Sequence, residues 1–167
     1  MGRGSRATLA VVVGLAAMAS CQDAAAPPRH GKLELVEAPP GRNLDVAAFV
    51  VPQLARARRD HRHVVVYVGA TWCEPCTRFH DAAQRGELDA EFGDVTFLGF
   101  DADRAGEALE RANYRSELIP LFAIPRDDGT ASGQQIEGSI KGEGAVGQIA
   151  PRLRGLVDQP AAQAPSR

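Results

Sequence analysis

Two cysteines separated by two residues, in the run Trp72-Cys73-Glu74-Pro75-Cys76, carry the most pronounced chemistry in this chain. That spacing lets two sulfurs meet across one helical turn, so dithiol and disulfide interconvert with little backbone movement. The pair sits where an apolar, strand-like run gives way to a helical one. At a helix N-terminus, free backbone N–H groups and the helix dipole favour a thiolate on the first cysteine. They lower its pKa from about 8.5 toward 7 or below. The second cysteine then lies one turn inward, placed to attack a mixed disulfide formed on the first. Cys73 is the expected nucleophile and Cys76 the resolving thiol.

Other chemistries need partners. Half a zinc site requires a second ligand pair, and the chain has 3 cysteines in all, too few for one. A c-type haem needs histidine directly after the second cysteine, where Thr77 stands. Copper held by Cys73, Cys76 and His80 is the alternative: a non-catalytic metal-binding or chaperone module. His80 follows Cys76 by four residues on one helical face. No cofactor beyond the dithiol is expected, and no resident metal.

The remaining composition is that of an ordinary globular chain. Its 167 residues are 44% hydrophobic and 24% charged, which excludes a collagen-like, fully disordered or polytopic membrane protein. A net charge of −2 offers no footprint for nucleic acid. The run Arg56–His63 is basic, and reads as the solvated end of a helix more readily than as a docking patch.

The elements that must position the cysteines follow from periodicity. A helix is expected from Asp45 to about Arg59, with Pro52 forcing a kink or a late start. The β-branched run His63–Gly69 predicts a strand buried on both faces. A long helix is expected over Glu74–Phe92, a second strand over Val95–Phe100, and a helix capped by Asp103. Leu121–Ile124 and Gln135–Ile140 read as strands of a hairpin turning at Asp127-Asp128-Gly129. A helical stripe from Val146 to Leu156 closes the unit. Lys32–Glu37 alternates polar and apolar residues like a short edge strand. The order implies an α/β class: a three-layer α/β/α sandwich with a mixed central sheet.

The first 20 residues read as an address. Arg3 and Arg6 precede an apolar run, Ala7–Ala19, too short to span a bilayer but right for a signal peptide. The run ends Met18-Ala19-Ser20-Cys21, which resembles the lipobox of bacterial lipoproteins and implies lipidation of Cys21. The expected organisation is a lipoprotein signal peptide at 1–20, a tether at 21–42, a folded domain at 43–157 and a disordered tail at 158–167.

Trp-Cys-X-X-Cys after an apolar strand, the order of elements, and Ile119-Pro120 at the start of the next-but-one strand together resemble the thioredoxin superfamily. The resemblance implies a thioredoxin fold and a thiol–disulfide oxidoreductase. It implies that Pro120 is cis, faces the dithiol and, with Ile119, presents an extended substrate segment. Trp72, Glu74 and Pro75 support the site, and Gly138 takes the place of a small residue near it. Two departures stand out. A buried aspartate usually lies six residues before the first cysteine, and Tyr67 occupies that position; the lysine paired with it is also missing. The Glu-Pro insert is similar to that of membrane-anchored thiol reductases of cytochrome c maturation.

These similarities imply a reductant on the periplasmic or outer side of a bacterial membrane. Its partners would be envelope proteins with disulfides (apocytochrome c among them), a membrane thiol reductant, and the membrane itself through the lipid; no nucleic acid. Glu74 is expected to raise the Cys73 pKa by about half to one unit, making the couple roughly 15–30 mV more reducing.

Overall fold

In the computed structural model, Met1 and residues 31–159 are described. The expected signal peptide, Cys21, most of the tether and the end of the tail lie outside the described residues.

Among the described residues ten elements follow in order: β1 (Glu34–Glu37), α1 (Val46–Arg59), β2 (His63–Gly69), α2 (Glu74–Gln84), α3 (Asp89–Phe92), β3 (Val95–Asp101), α4 (Ala102–Arg111), β4 (Leu121–Pro125), β5 (Ala131–Glu137) and α5 (Ala145–Val157). The strands form one sheet in the order β1-β3-β2-β4-β5. β1, β3 and β2 run parallel, and β4 and β5 add antiparallel. The class is α/β with a mixed sheet between helical layers, as the periodicity implied.

Alternation along β2 builds two cores. Val64, Val66 and Val68 join Val46 and Val50 of α1 and Leu109 of α4 on one face. Val65 and Tyr67 face the other way, toward Phe79 of α2, Phe92 of α3 and Ile149 of α5. That second core is aromatic: Tyr67 stacks on Phe122 at 5.1 Å and Phe79 meets Phe122 edge-on at 4.7 Å. Burying one such ring stabilises the fold by about 1.5–3 kcal/mol, and this floor carries the dithiol helix.

Several boundaries differ from the expectations. The stretch Glu74–Phe92 is two helices, because Gly86 takes φ +76° and its N–H returns to the Ala83 carbonyl, ending α2. α4 is capped by Asp101, not Asp103: the Asp101 carboxylate accepts from Asp103 N at 2.9 Å and Arg104 N at 3.2 Å. The last strand begins at Ala131 and ends at Glu137, where Gly138 turns away with φ +64°. α1 starts at Val46 despite Pro52, whose ring and the Ala48 carbonyl it deprives both lie on the exposed face. β1 falls within the stretch assigned to the tether, and its pairing with β3 makes that part of the chain sheet.

The basic run is largely absorbed by the fold. Arg62 donates to the carbonyls of Gly93, Lys32 and Val95, and Arg56 pairs with Glu34.

Candidate active site

β2 ends at Gly69, and Ala70, Thr71 and Trp72 carry the chain around to α2. Cys73 occupies the N-cap position with extended backbone angles (φ −86°, ψ 103°), and no side chain caps the helix. Pro75 lies in the first turn, where its missing N–H costs no helical bond. No side chain takes up the N–H groups of the first turn, which directly follows Cys73 in the chain. Cys73 and Cys76 form a disulfide with Cα atoms 5.2 Å apart. Both are buried, at 5% and 2% exposure.

Opposite them, the Ile119–Pro120 peptide is cis, and the Ile119 carbonyl oxygen lies 3.7 Å from Cys73 Sγ. Ala70, Cys73 and Cys76 form a small apolar cluster closed by Ala102 and Ile119. The Pro120 carbonyl accepts from Gly138 N at 2.9 Å, which puts that glycine next to the proline. Trp72 is 69% exposed beside the disulfide. Its Nε1 donates to Asp103 Oδ2 at 2.9 Å, the contact that Asp103 makes in place of a cap.

Glu74 does not stand as a bare charge next to Cys73. Arg78 Nε donates to it at 2.9 Å and Gly142 N at 3.2 Å. The Arg78 hydrogen bond holds the Glu74 pKa below its ordinary 4.5. Tyr67, in the position of the usual buried acid, donates its hydroxyl to the Cys76 carbonyl at 3.0 Å. Burial pushes its pKa well above the phenol range, and the charges of Glu37 and Asp81 add to that. His80 Nε2 lies 3.3 Å from Glu37 Oε1. Among the described residues, no group of three or more His, Cys, Asp and Glu side chains is placed to hold a metal ion.

No protein-family model matches the chain. An H-type thioredoxin from Chlamydomonas reinhardtii is 29% identical over 119 residues, covering 71% of this chain and 93% of the relative. A thioredoxin from Aspergillus fumigatus is 29% identical over 111 residues, covering 66% of this chain and 94% of the relative. Both alignments are nearly full-length for the relative. Over most of its described length the chain is similar to thioredoxins. Oxidised thioredoxin O1 from Arabidopsis thaliana is 19% identical, with a TM-score of 0.46 over 77% of this chain and 98% of that one.

Similar to thioredoxins and carrying a Cys73–Cys76 disulfide, the chain is a thiol–disulfide oxidoreductase. The fold brings Trp72, Cys73, Glu74, Pro75, Cys76, Ile119 and Pro120 together where the central strand β2 ends and its neighbour β4 begins. Among the described residues, no helix is long and apolar enough to cross a membrane. Sequence reasoning missed Glu37, which reaches the site from the edge strand. The signal was faint: an acid closing an amphipathic strand, and Gly99 within an apolar one.

Proposed function

We propose that this chain is a protein-disulfide reductase of the bacterial cell envelope, lipid-anchored at Cys21 and acting through Cys73 and Cys76. The observation that carries the reading is the uncapped start of α2, which holds Cys73 Sγ against the Ile119 carbonyl. A client strand laid along Ile119 and Pro120 by backbone pairing brings its disulfide to that sulfur.

The chemistry then runs in two exchanges. The Cys73 thiolate attacks one client sulfur, the client S–S bond breaks, and the other client sulfur leaves as a thiolate that takes up a proton. Cys76, deprotonated, attacks Cys73 Sγ and releases the second client thiolate. Two electrons pass to the client, and the protein is left with the Cys73–Cys76 disulfide. A membrane thiol reductant restores the dithiol.

Ile119 before Pro120 and the acidic residue beside Cys73 support the reductive direction. The basic, apolar and Cys21-terminated leader supports the envelope address. Trapping tests both: with Cys76→Ser, envelope clients should accumulate as mixed disulfides on Cys73 in the membrane fraction. Adding Cys21→Ser should move those adducts to the soluble fraction or block processing. Equal trapping by Cys73→Ser would refute the assigned roles, and a soluble protein with Cys21 intact would refute the anchor.

A further inference from the structure

Resolution requires Cys76 to lose a proton, and the aspartate that usually takes it is absent from this chain. Tyr67 does not replace it. Its hydroxyl is committed to the Cys76 carbonyl, and burial keeps it protonated. The sheet offers another route. Glu37, Gly99 and Tyr67 stand in one row across β1, β3 and β2. Gly99 has no side chain to fill its place in that row, and the Glu37 carboxylate occupies the space: a Cβ on Gly99 would meet it at 2.5 Å. From α2 above, His80 comes down to within 3.3 Å of the same carboxylate.

Between these groups lies a cavity of about 270 Å³, lined by Glu37, Tyr67, Cys76, Thr77, His80 and Asp101 among others. Cys76 and His80 are one turn apart on α2, so their side chains are neighbours on one face. The competing acids near the site are engaged elsewhere: Asp101 caps α4, and Glu74 is held by Arg78 and Gly142.

We infer that His80, oriented by Glu37, is the proton acceptor for the Cys76 thiol across this cavity. The inference rests on the reductase reading and deepens it. In the resolving step the Cys76 S–H bond breaks and its proton goes to the imidazole. The electron pair left on Sγ attacks Cys73 Sγ, and the Cys73–client bond breaks. The departing client thiolate takes its proton from the imidazolium or from solvent. Glu37 is the positioning residue, fixing the ring through its 3.3 Å contact, as carboxylates do for catalytic histidines elsewhere. The charged and titratable groups around the imidazole are Glu37 from β1, Tyr67 from β2, Asp101 from β3, and Cys76 and Asp81 from α2.

Rapid mixing of the reduced protein with a disulfide-containing peptide separates the two exchanges. Attack by Cys73 is followed in a Cys76→Ser background, and resolution with Cys76 present, each against pH and with His80→Gln or Glu37→Gln. His80→Gln should leave attack within about twofold and slow resolution at pH 7 by about 10²-fold. The rise in resolution rate should move up toward pH 8.5, the range of an unassisted thiol. Glu37→Gln should shift the same profile in the same direction, by less. Unchanged resolution rate and profile in His80→Gln would overturn the inference, as would an equal fall in attack and resolution. A protein that forms no mixed disulfide in the Cys76→Ser background would overturn the reductase reading first, before any resolution step is measured.

Discussion

β2 and β3 end side by side, with Gly69 opposite Asp101, and each feeds a helix. The two N-cap residues have nearly the same backbone, φ −86° and ψ 103° at Cys73 against φ −84° and ψ 120° at Asp101. Their side chains do opposite things. Asp101 closes α4 by taking two backbone N–H groups on its carboxylate. Cys73 takes none, and α2 begins with its donors open. The stable way to start a helix is the Asp101 way. Where sulfur chemistry is done the cap is withheld, so the same donors and dipole act on a thiolate. Trp72 bridges the junctions through its bond to Asp103, tying the reactive one to the capped one.

The largest effect should come from Cys73→Ser. A serine hydroxyl can cap α2 but is no thiol, so disulfide reduction should vanish in an insulin assay. The thermal midpoint of the reduced protein should hold or rise. Next, Asp101→Ala removes a cap and should cost about 0.5–2 kcal/mol by denaturant unfolding, leaving the Cys73 alkylation rate near wild type. An Asp101→Ala protein as stable as wild type would break the contrast. Tyr67→Phe deletes the bond to the Cys76 carbonyl and should cost about 0.5–1.5 kcal/mol on the reactive side.

The smallest effect belongs to Glu74→Gln. Arg78 offsets the carboxylate, so the Cys73 pKa should fall by no more than about half a unit, the low end of what a bare charge would give. Because its folded-state pKa lies below the ordinary 4.5, Glu74 is ionised above that value and loses charge only as pH falls through the lower one. Its influence should therefore be constant from about pH 5 to 9, the window in which a cysteine near a helix start titrates.

How legible each region was in the sequence follows the same divide. The strand His63–Gly69 was readable to the residue, because a β-branched run buried on both faces has no competing pattern. The dithiol and Pro120 were readable because their chemistry is local or fixed by motif. The break at Gly86 was missed: the apolar stripe continues past it, and only the backbone angle at the glycine ends the helix. Asp101 and Asp103 are both sound caps by type, and the choice depended on where β3 ended. The half-exposed β5 lacks a clean alternation at its start, so the pattern places the strand only from Gln135. Glu37 and His80 lie 43 residues apart in sequence, and only the strand order makes them neighbours.

The uncapped start of α2 is the central feature of the site, and the pH dependence of Cys73 alkylation in the reduced protein tests its effect most directly. Mass mapping can separate Cys73 from Cys76 in the same sample. The uncapped helix predicts that Cys73 reacts first and titrates well below pH 8.5, with Cys76 silent over that range. A Cys73 that titrates at or above pH 8.5, or in step with Cys76, would contradict it.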